Sequence, residues 1–349
     1  MSVEAVVGAA QSRNGGPGER PLHVIVHTAP GRGSRFWWGL VILALIASIG
    51  VNVWMYDRQR QYFSDTQPPS ERFHSGDQFS RDKLAIIHVT GTIMPPFTHR
   101  VLEDIKRAKE DDYVKGVLLT VDSPGGLVTD SHQIFHRLRE LSVLKPVYVS
   151  MGSMAASGGY YVSMGAGPET MIFAEPTTWT GSIGVIIPHY EVAELAEKLG
   201  IEAAPLKTGE FKDALSPFRK MTDRDREVWH AILDQSFQQF IDVIDTNRPR
   251  LDRSQVQELA TGQIYTAQDA LRNGLIDAIG YEDDALDALR KKTGLSKALV
   301  ITYSHPTSVL DIVLGSAKAK EPASPWQSLL DASVPRAMYL CSWNAPNAE

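Results

Sequence analysis

The chain has 349 residues, of which 43% are hydrophobic and 22% are charged, and its formal net charge is −6. This composition is that of a globular protein with one large or two modest domains, and it excludes collagen-like and wholly disordered chains. Because the charge is negative and the basic residues are scattered, a nucleic-acid partner is not expected. The single cysteine, Cys341, cannot form a disulfide within the chain.

The N-terminal region is predicted to be a flexible tail followed by a membrane anchor. Residues 1–35 are polar and rich in glycine and proline, so they offer too little apolar surface to offset the entropy of ordering. Residues 36–56 carry no charge, and about 21 helical residues span the core of a bilayer. A cleaved signal peptide or a buried core helix is the alternative. Arginines flank both ends, so charge counting leaves the orientation open.

The rest of the chain is predicted to be an α/β body. Residues 57–82 are polar and include two prolines, which indicates a linker before a domain over 83–304 and an extension over 305–349. Strands are predicted at 84–90, 116–121 and 146–151, and helices at 100–110, 129–141, 190–199 and from Thr222 onwards. This alternation is typical of βα units around a mostly parallel sheet.

Two glycine-rich segments follow predicted strands, where open α/β sheets place their ligand sites. The first, DSPGG, can present the backbone N–H groups of Gly125 and Gly126 to an anion, or can be an ordinary turn. The second, MAASGGYY, sets Ser157 among small residues at a strand-to-helix turn. Such a hydroxyl suits a nucleophile, because a substrate carbonyl can approach it and the Gly158 N–H can point at the oxyanion. Tight helix packing is the alternative for this segment.

A third segment, TGSIGV, contains Ser182 and Gly184. It can be an edge that pairs with an extended peptide, or a strand with a glycine bend. A serine nucleophile also needs a base, and none of the ten histidines lies in a glycine-rich signature with an orienting carboxylate. A lysine can serve instead when burial keeps it neutral. The segment GEFKDALSPFRKMT supplies Lys212, although composition alone predicts a solvated charge there.

The four segments DSPGG, MAASGGYYV, TGSIGV and GEFKDALSPFRKMT occur in that order, and about residues 83–300 resemble the signal peptide peptidase SppA family, the membrane-bound serine-lysine peptidases of family S49. The resemblance implies that Ser157 is the nucleophile and Lys212 the general base. It also implies oxyanion donors from Gly125 or Gly126 beside Gly158. The implied fold is the Clp protease/crotonase-like α/β spiral, here with one N-terminal transmembrane helix.

The expected function is therefore that of a membrane-anchored serine endopeptidase that cleaves signal peptides or other membrane-associated peptides through an acyl-enzyme. The resemblance implies a single-pass protein of the cell membrane with its body on the extracytoplasmic side, assembled into a homo-oligomeric ring. The bilayer and peptides at the membrane are the expected partners, and no metal or cofactor is needed. The small residues near Ser157 suggest cleavage at small or apolar residues. A crotonase-type acyl-CoA enzyme and a catalytically silent membrane scaffold are the alternatives.

Overall fold

The computed structural model describes residues 32–63, 69–305 and 337–341 of the chain. These residues fall into two compact units, one containing the N-terminal helix and one containing everything from residue 69 onwards. The described residues leave out positions 1–31 of the predicted tail. They also leave out positions 306–336 and 342–349 of the predicted extension.

The first unit contains one long helix, α1 (Arg32–Phe63). Its segment Trp37–Met55 has a mean hydropathy of 2.0 and is long and apolar enough to cross a membrane. Large apolar side chains along it are exposed, Leu43 and Ile46 by more than 60% each. The helix runs beyond the predicted span 36–56 into the predicted linker, because arginine and glutamine at residues 58–61 are good helix formers.

The second unit consists of short strands and helices in alternation. Its helices are α2 (Phe97–Glu110), α3 (Val128–Leu144), α4 (Gly158–Ser163), α5 (Ala193–Lys198), α6 (Asp223–Asn247), α7 (Arg253–Leu259), α8 (Ala267–Arg272) and α9 (Glu282–Lys292), with 3-10 turns at Met164–Ala166 and Glu210–Asp213. Its strands are β1 (Ser70–Gly76), β2 (Lys83–Thr90), β3 (Val114–Ser123), β4 (Gly125–Leu127), β5 (Val147–Ala156), β6 (Ile172–Ala174), β7 (Trp179–Gly181), β8 (Ile264–Thr266), β9 (Ala278–Ile279), β10 (Leu299–Ser304) and β11 (Met338–Leu340).

The central sheet has the strand order β1-β10-β2-β3-β5-β6-β9, and β7 pairs with β5 and β8. Strands β10, β2, β3, β5, β6 and β9 run parallel, whereas β1 is antiparallel to β10 at one edge. Apolar side chains cover both faces of β2: Ala85 and Ile87 pack in the cluster with α2, α3 and α6, and Ile86 packs in the cluster with α9. A parallel sheet buried on both faces explains the near-continuous apolar runs of the sequence.

Helix α6 begins at a capping box, and its first half is largely exposed. The Thr222 hydroxyl accepts a hydrogen bond from the Asp225 N–H, and the Asp225 carboxylate accepts one from the Thr222 N–H. Phe240 and Ile244 near its end are fully buried, while Trp229 near its start is only half-buried. Core packing therefore accounts for the apolar residues in the second half of α6.

Residues 188–221, which we call the arm, connect the sheet to α6 and are largely exposed. Every residue over 197–212 is exposed. The arm holds the short helix α5, which ends at Lys198 and is followed by Gly200 with φ +72°, and the 3-10 turn Glu210–Asp213. Such a segment contributes little to the core, so its position has to be fixed by polar contacts.

Candidate active site

The loop after β3 forms the first wall of the candidate site. Gly125 has φ +102°, a conformation that glycine adopts without strain. The Ser123 hydroxyl donates to the Gly91 carbonyl at 2.6 Å and accepts from the Gly125 N–H at 3.1 Å. These two hydrogen bonds fix the glycine pair at the carboxyl end of β3. Because the Gly125 N–H is donated to Ser123 here, that the glycine pair presents its amides to an anion stays a prediction.

Ser157 lies on a strained turn between β5 and α4. Its φ of 54° and ψ of −112° are rare for a residue with a side chain. The Ser157 N–H donates to the Gly181 carbonyl at 2.7 Å, and the Ser157 carbonyl accepts from the Tyr161 N–H at 2.9 Å. A sharp strand-to-helix turn of this kind holds a nucleophilic hydroxyl at the helix N-terminus.

The environment of Ser157 is buried and rich in backbone amides. Ser157 is 1% exposed, and within the described part of the chain its Oγ has no hydrogen-bond partner. A Cβ added to Gly158 would lie 3.1 Å from the Gly126 nitrogen, and one added to Gly125 would lie 2.7 Å from the Gly158 nitrogen. The structure thus brings Ser157 and the three predicted oxyanion glycines together, with no room for a side chain on the glycines.

The third glycine segment begins in β7, where the Gly181 carbonyl accepts the Ser157 N–H. Ser182 is buried with φ 50°, and its N–H donates to the Gln263 carbonyl at 2.7 Å. Gly184 is half-buried beside Gly262. These contacts hold the segment against Gly262 and Gln263, the two residues before β8. That Ser182 and Gly184 contact substrate stays a prediction.

Lys212, the predicted base, lies on the 3-10 turn Glu210–Asp213 of the arm. Its side chain is exposed, and among the described residues its ammonium group has no hydrogen-bond or ion-pair partner. No hydrogen bond therefore joins Lys212 to Ser157 within one chain.

A network of charges that the sequence analysis did not single out fixes the turn carrying Lys212. Asp213 forms ion pairs with Lys207 at 2.8 Å and with Arg219 at 2.9 Å. Arg219 also donates to both oxygens of the Asp225 carboxylate, at 2.7 and 3.1 Å. Because Asp225 belongs to the capping box of α6, the arm is tied to the start of that helix. The hydrogen bonds from Arg219 lower the pKa of the Asp225 carboxyl.

This network predicts a loss of stability in acid. A carboxyl whose pKa is lowered on folding stabilises the protein above its unfolded pKa of about 4, and this contribution is lost as the pH falls further. We expect the melting temperature to fall between about pH 5 and pH 3, and Asp225→Asn to be less stable at pH 7 by about 2 kcal/mol with a smaller acid dependence. Thermal unfolding of both proteins at several pH values measures this, and parallel pH curves would contradict it.

Comparison with known proteins identifies the family. The chain is 34% identical over 290 residues to a protein of Enterococcus faecium that is named as a signal peptide peptidase SppA, and the match covers 77% of this chain and 83% of the relative. The sequence model of peptidase family S49 matches residues 139–296. The chain belongs to peptidase family S49. This family includes relatives named as serine proteases, so the protein is a serine endopeptidase.

Two further S49 relatives agree with this assignment. The chain is 32% identical to the chloroplastic serine protease SPPA of Arabidopsis thaliana and 33% identical to Protease 4 of Haemophilus influenzae. The matches cover 67% and 59% of this chain but only 36% and 34% of those longer relatives. The Clp protease model matches residues 74–181, which confirms the expected Clp protease-like α/β fold. Membership of S49 also favours the peptidase over the crotonase-type enzyme and the silent scaffold.

Ser123 of the DSPGG segment holds the glycine loop of this S49 peptidase in place through two hydrogen bonds, which the motif alone does not predict. Its hydroxyl links Gly125 to Gly91, so we expect Ser123→Ala to let the glycine loop drift and to lower kcat by about tenfold, with a smaller change in KM. Steady-state kinetics on a fluorogenic peptide tests this. An increase in KM with unchanged kcat would show that Ser123 supports substrate binding only.

Proposed function

We propose that this chain is a membrane-anchored endopeptidase that uses Ser157 as nucleophile and Lys212 as general base to cleave signal peptides or other membrane-associated peptides. The observation that carries the proposal is the strained, buried turn at Ser157, which lies next to the closely packed glycines 125, 126 and 158 and whose hydroxyl has no hydrogen-bond partner among the described residues. A strained backbone of this kind persists where the surrounding structure enforces it, and it is enriched at catalytic positions.

The proposed reaction forms and then hydrolyses an ester. Neutral Lys212 takes the proton of Ser157 as Oγ attacks the substrate carbonyl, and the N–H groups of Gly158 and of Gly126 or Gly125 stabilise the oxyanion. The peptide C–N bond breaks, and the leaving amine takes the proton from Lys212. Water then attacks the acyl-enzyme, gives its proton to Lys212, and releases the acid as Ser157 recovers its hydrogen.

The exposed position of Lys212 supports a dyad formed between neighbouring chains. The arm that carries Lys212 bears large apolar side chains that are more than half exposed, namely Tyr190, Leu195, Leu199, Ile201 and Leu206. Exposed apolar residues concentrated on one segment are typical of a protein–protein interface. A head-to-tail contact repeated around a closed ring would place each Lys212 at the Ser157 of the next chain and bury it there.

Membrane anchoring through α1 would keep the peptidase near its substrates. The name of the Enterococcus relative supports signal peptides as one substrate class, and we propose that the body lies on the extracytoplasmic side. An epitope tag after Glu349 should then be reached by antibody on sealed bacterial spheroplasts. Staining only after permeabilisation would place the body in the cytoplasm.

Labelling with a serine-reactive fluorophosphonate tests the proposed dyad. Wild type should be labelled, whereas Ser157→Ala should not react and Lys212→Ala should react much more slowly. Peptide mapping should find the label on Ser157. Equal labelling of all three proteins would overturn the assignment of both residues.

A further inference from the structure

Ser131 lies on the first turn of α3, in contact with the glycines of the candidate site. Helix α3 begins directly after β4, and Ser131 is fully buried. A Cβ added to Gly158 would lie 2.7 Å from the Ser131 Oγ. The same position is 3.0 Å from the Gly125 Cα and 3.1 Å from the Gly126 nitrogen. The Ser131 hydroxyl therefore lies where the glycine loop meets the turn that carries Ser157.

The Ser131 hydroxyl has no hydrogen-bond partner among the described residues. A serine inside a helix commonly bonds to the carbonyl four residues earlier. Ser163, which is equally buried on α4, does so with the Gly159 carbonyl at 2.9 Å, whereas Ser131 makes no such bond within the described chain. Because buried polar groups are nearly always paired, an unpaired hydroxyl beside a candidate nucleophile indicates that its acceptor arrives with the substrate.

The amides that the sequence predicts as oxyanion donors are not all free in the structure. The Gly125 N–H is donated to the Ser123 hydroxyl at 3.1 Å. Gly158 is the first residue of α4, so its N–H has no acceptor within that helix. A side-chain hydroxyl can take the place of a missing amide, because serine side chains are among the groups that form oxyanion holes.

We infer that Ser131 is a catalytic residue of this peptidase, whose hydroxyl donates a hydrogen bond to the oxyanion of the bound substrate beside the Gly158 N–H. The inference rests on the proposed function and adds a side-chain donor to it. When the Ser157 Oγ bonds to the substrate carbonyl carbon, the π electrons of the C=O bond move to its oxygen and the serine proton passes to the base. The Ser131 hydroxyl keeps its own proton and gains an acceptor that the described chain does not offer.

Ser131→Ala separates catalysis from stability. The substitution breaks no hydrogen bond within the described residues and removes an unpaired buried hydroxyl, so the melting temperature should not fall. For a fluorogenic peptide, kcat should fall about a hundredfold while KM stays within about threefold. Ser163→Ala is the matched control, since it removes a buried hydroxyl that is already bonded, and its kcat should stay within about threefold of wild type. An unchanged kcat in Ser131→Ala, or an equal loss in both variants, would overturn the inference.

A peptide aldehyde and the alcohol of the same sequence test the hydrogen bond itself. Both contact the same subsites, but only the aldehyde forms a hemiacetal with Ser157, whose oxygen takes the position of the oxyanion. Calorimetric titration of an N-acetylated trileucine aldehyde and of the matching alcohol into the full chain in detergent measures both affinities without turnover. Ser131→Ala should weaken aldehyde binding at least tenfold and alcohol binding by less than about twofold. Equal weakening of both would show that Ser131 only supports the shape of the site, and would overturn the inference.

The same titration of Ser157→Ala separates a failure of this inference from a failure of the proposed function. Ser157→Ala cannot form the hemiacetal, so it should bind the aldehyde no more tightly than the alcohol. If it binds the aldehyde as tightly as wild type, the proposed nucleophile is wrong and the inference falls with it. If it loses the preference for the aldehyde while Ser131→Ala keeps it, only the role of Ser131 is wrong. Ser131→Cys keeps the size but donates weakly, so it should show an intermediate preference and decides the question if Ser131→Ala folds poorly.

Discussion

Ser157→Ala is expected to lower kcat/KM for peptide hydrolysis by about 10⁴-fold or more, because removing the nucleophile of a serine peptidase leaves only the oxyanion donors and substrate binding. The folded state should change little. The Ser157 Oγ has no hydrogen-bond partner among the described residues, and alanine meets the same backbone strain at φ 54°. We therefore expect a melting temperature close to that of wild type.

Ser153→Ala provides the matched control for this substitution. Ser153 lies on the same strand β5, is exposed, and bonds to Asp122 rather than facing the glycine amides. It should retain activity within about threefold of wild type. Substantial hydrolysis by purified Ser157→Ala, or an equal loss in both variants, would show that Ser157 is not the nucleophile.

Lys212→Arg is expected to lower kcat about 10³-fold, since a guanidinium keeps the positive charge but stays protonated and cannot accept the serine proton. Steady-state kinetics of both proteins on a fluorogenic peptide measures this loss.

Lys220→Ala is the control for the charge of the arm. Lys220 is exposed and pairs with Glu194 on α5, and exposed ion pairs contribute little, so activity should stay within about twofold. Retained turnover in Lys212→Arg would place the base elsewhere, and Lys207, which pairs with Asp213 on the same turn, would be tested next.

The sequence predicts the centre of the fold better than its edges. Strands β2, β3 and β5 are recognisable because both faces are buried and their apolar runs are nearly continuous. Strand β1 falls within the predicted linker because an exposed edge strand with the sequence SERFHSG shows no apolar pattern. Strand β11 is three residues long and pairs with residues more than 200 positions earlier, a contact that no local pattern encodes.

At the candidate site, too, the sequence predicts the local features but not the contacts that depend on the folded chain. Glycines 125, 126 and 158 and the serine between small residues are local features, so motif reading finds them, and the structure brings them together. The Arg219 network joins charges six positions apart across a segment without helix or strand, and charges at such a spacing in a sequence are usually solvated. Within the described part of one chain no hydrogen bond joins Ser157 to Lys212, because the arm is exposed, so the proposed dyad stays a prediction.

Mixing two inactive proteins tests most directly whether Ser157 and Lys212 act as a dyad between neighbouring chains. Purified Ser157→Ala and Lys212→Ala chains are combined under conditions that allow subunit exchange, and peptide hydrolysis is compared with that of each protein alone. We predict that the mixture regains a substantial fraction of wild-type activity, since some interfaces then join an intact Ser157 to an intact Lys212. A mixture as inactive as its components, although mixed oligomers form, or a fully active monomer of the wild-type chain would contradict the account.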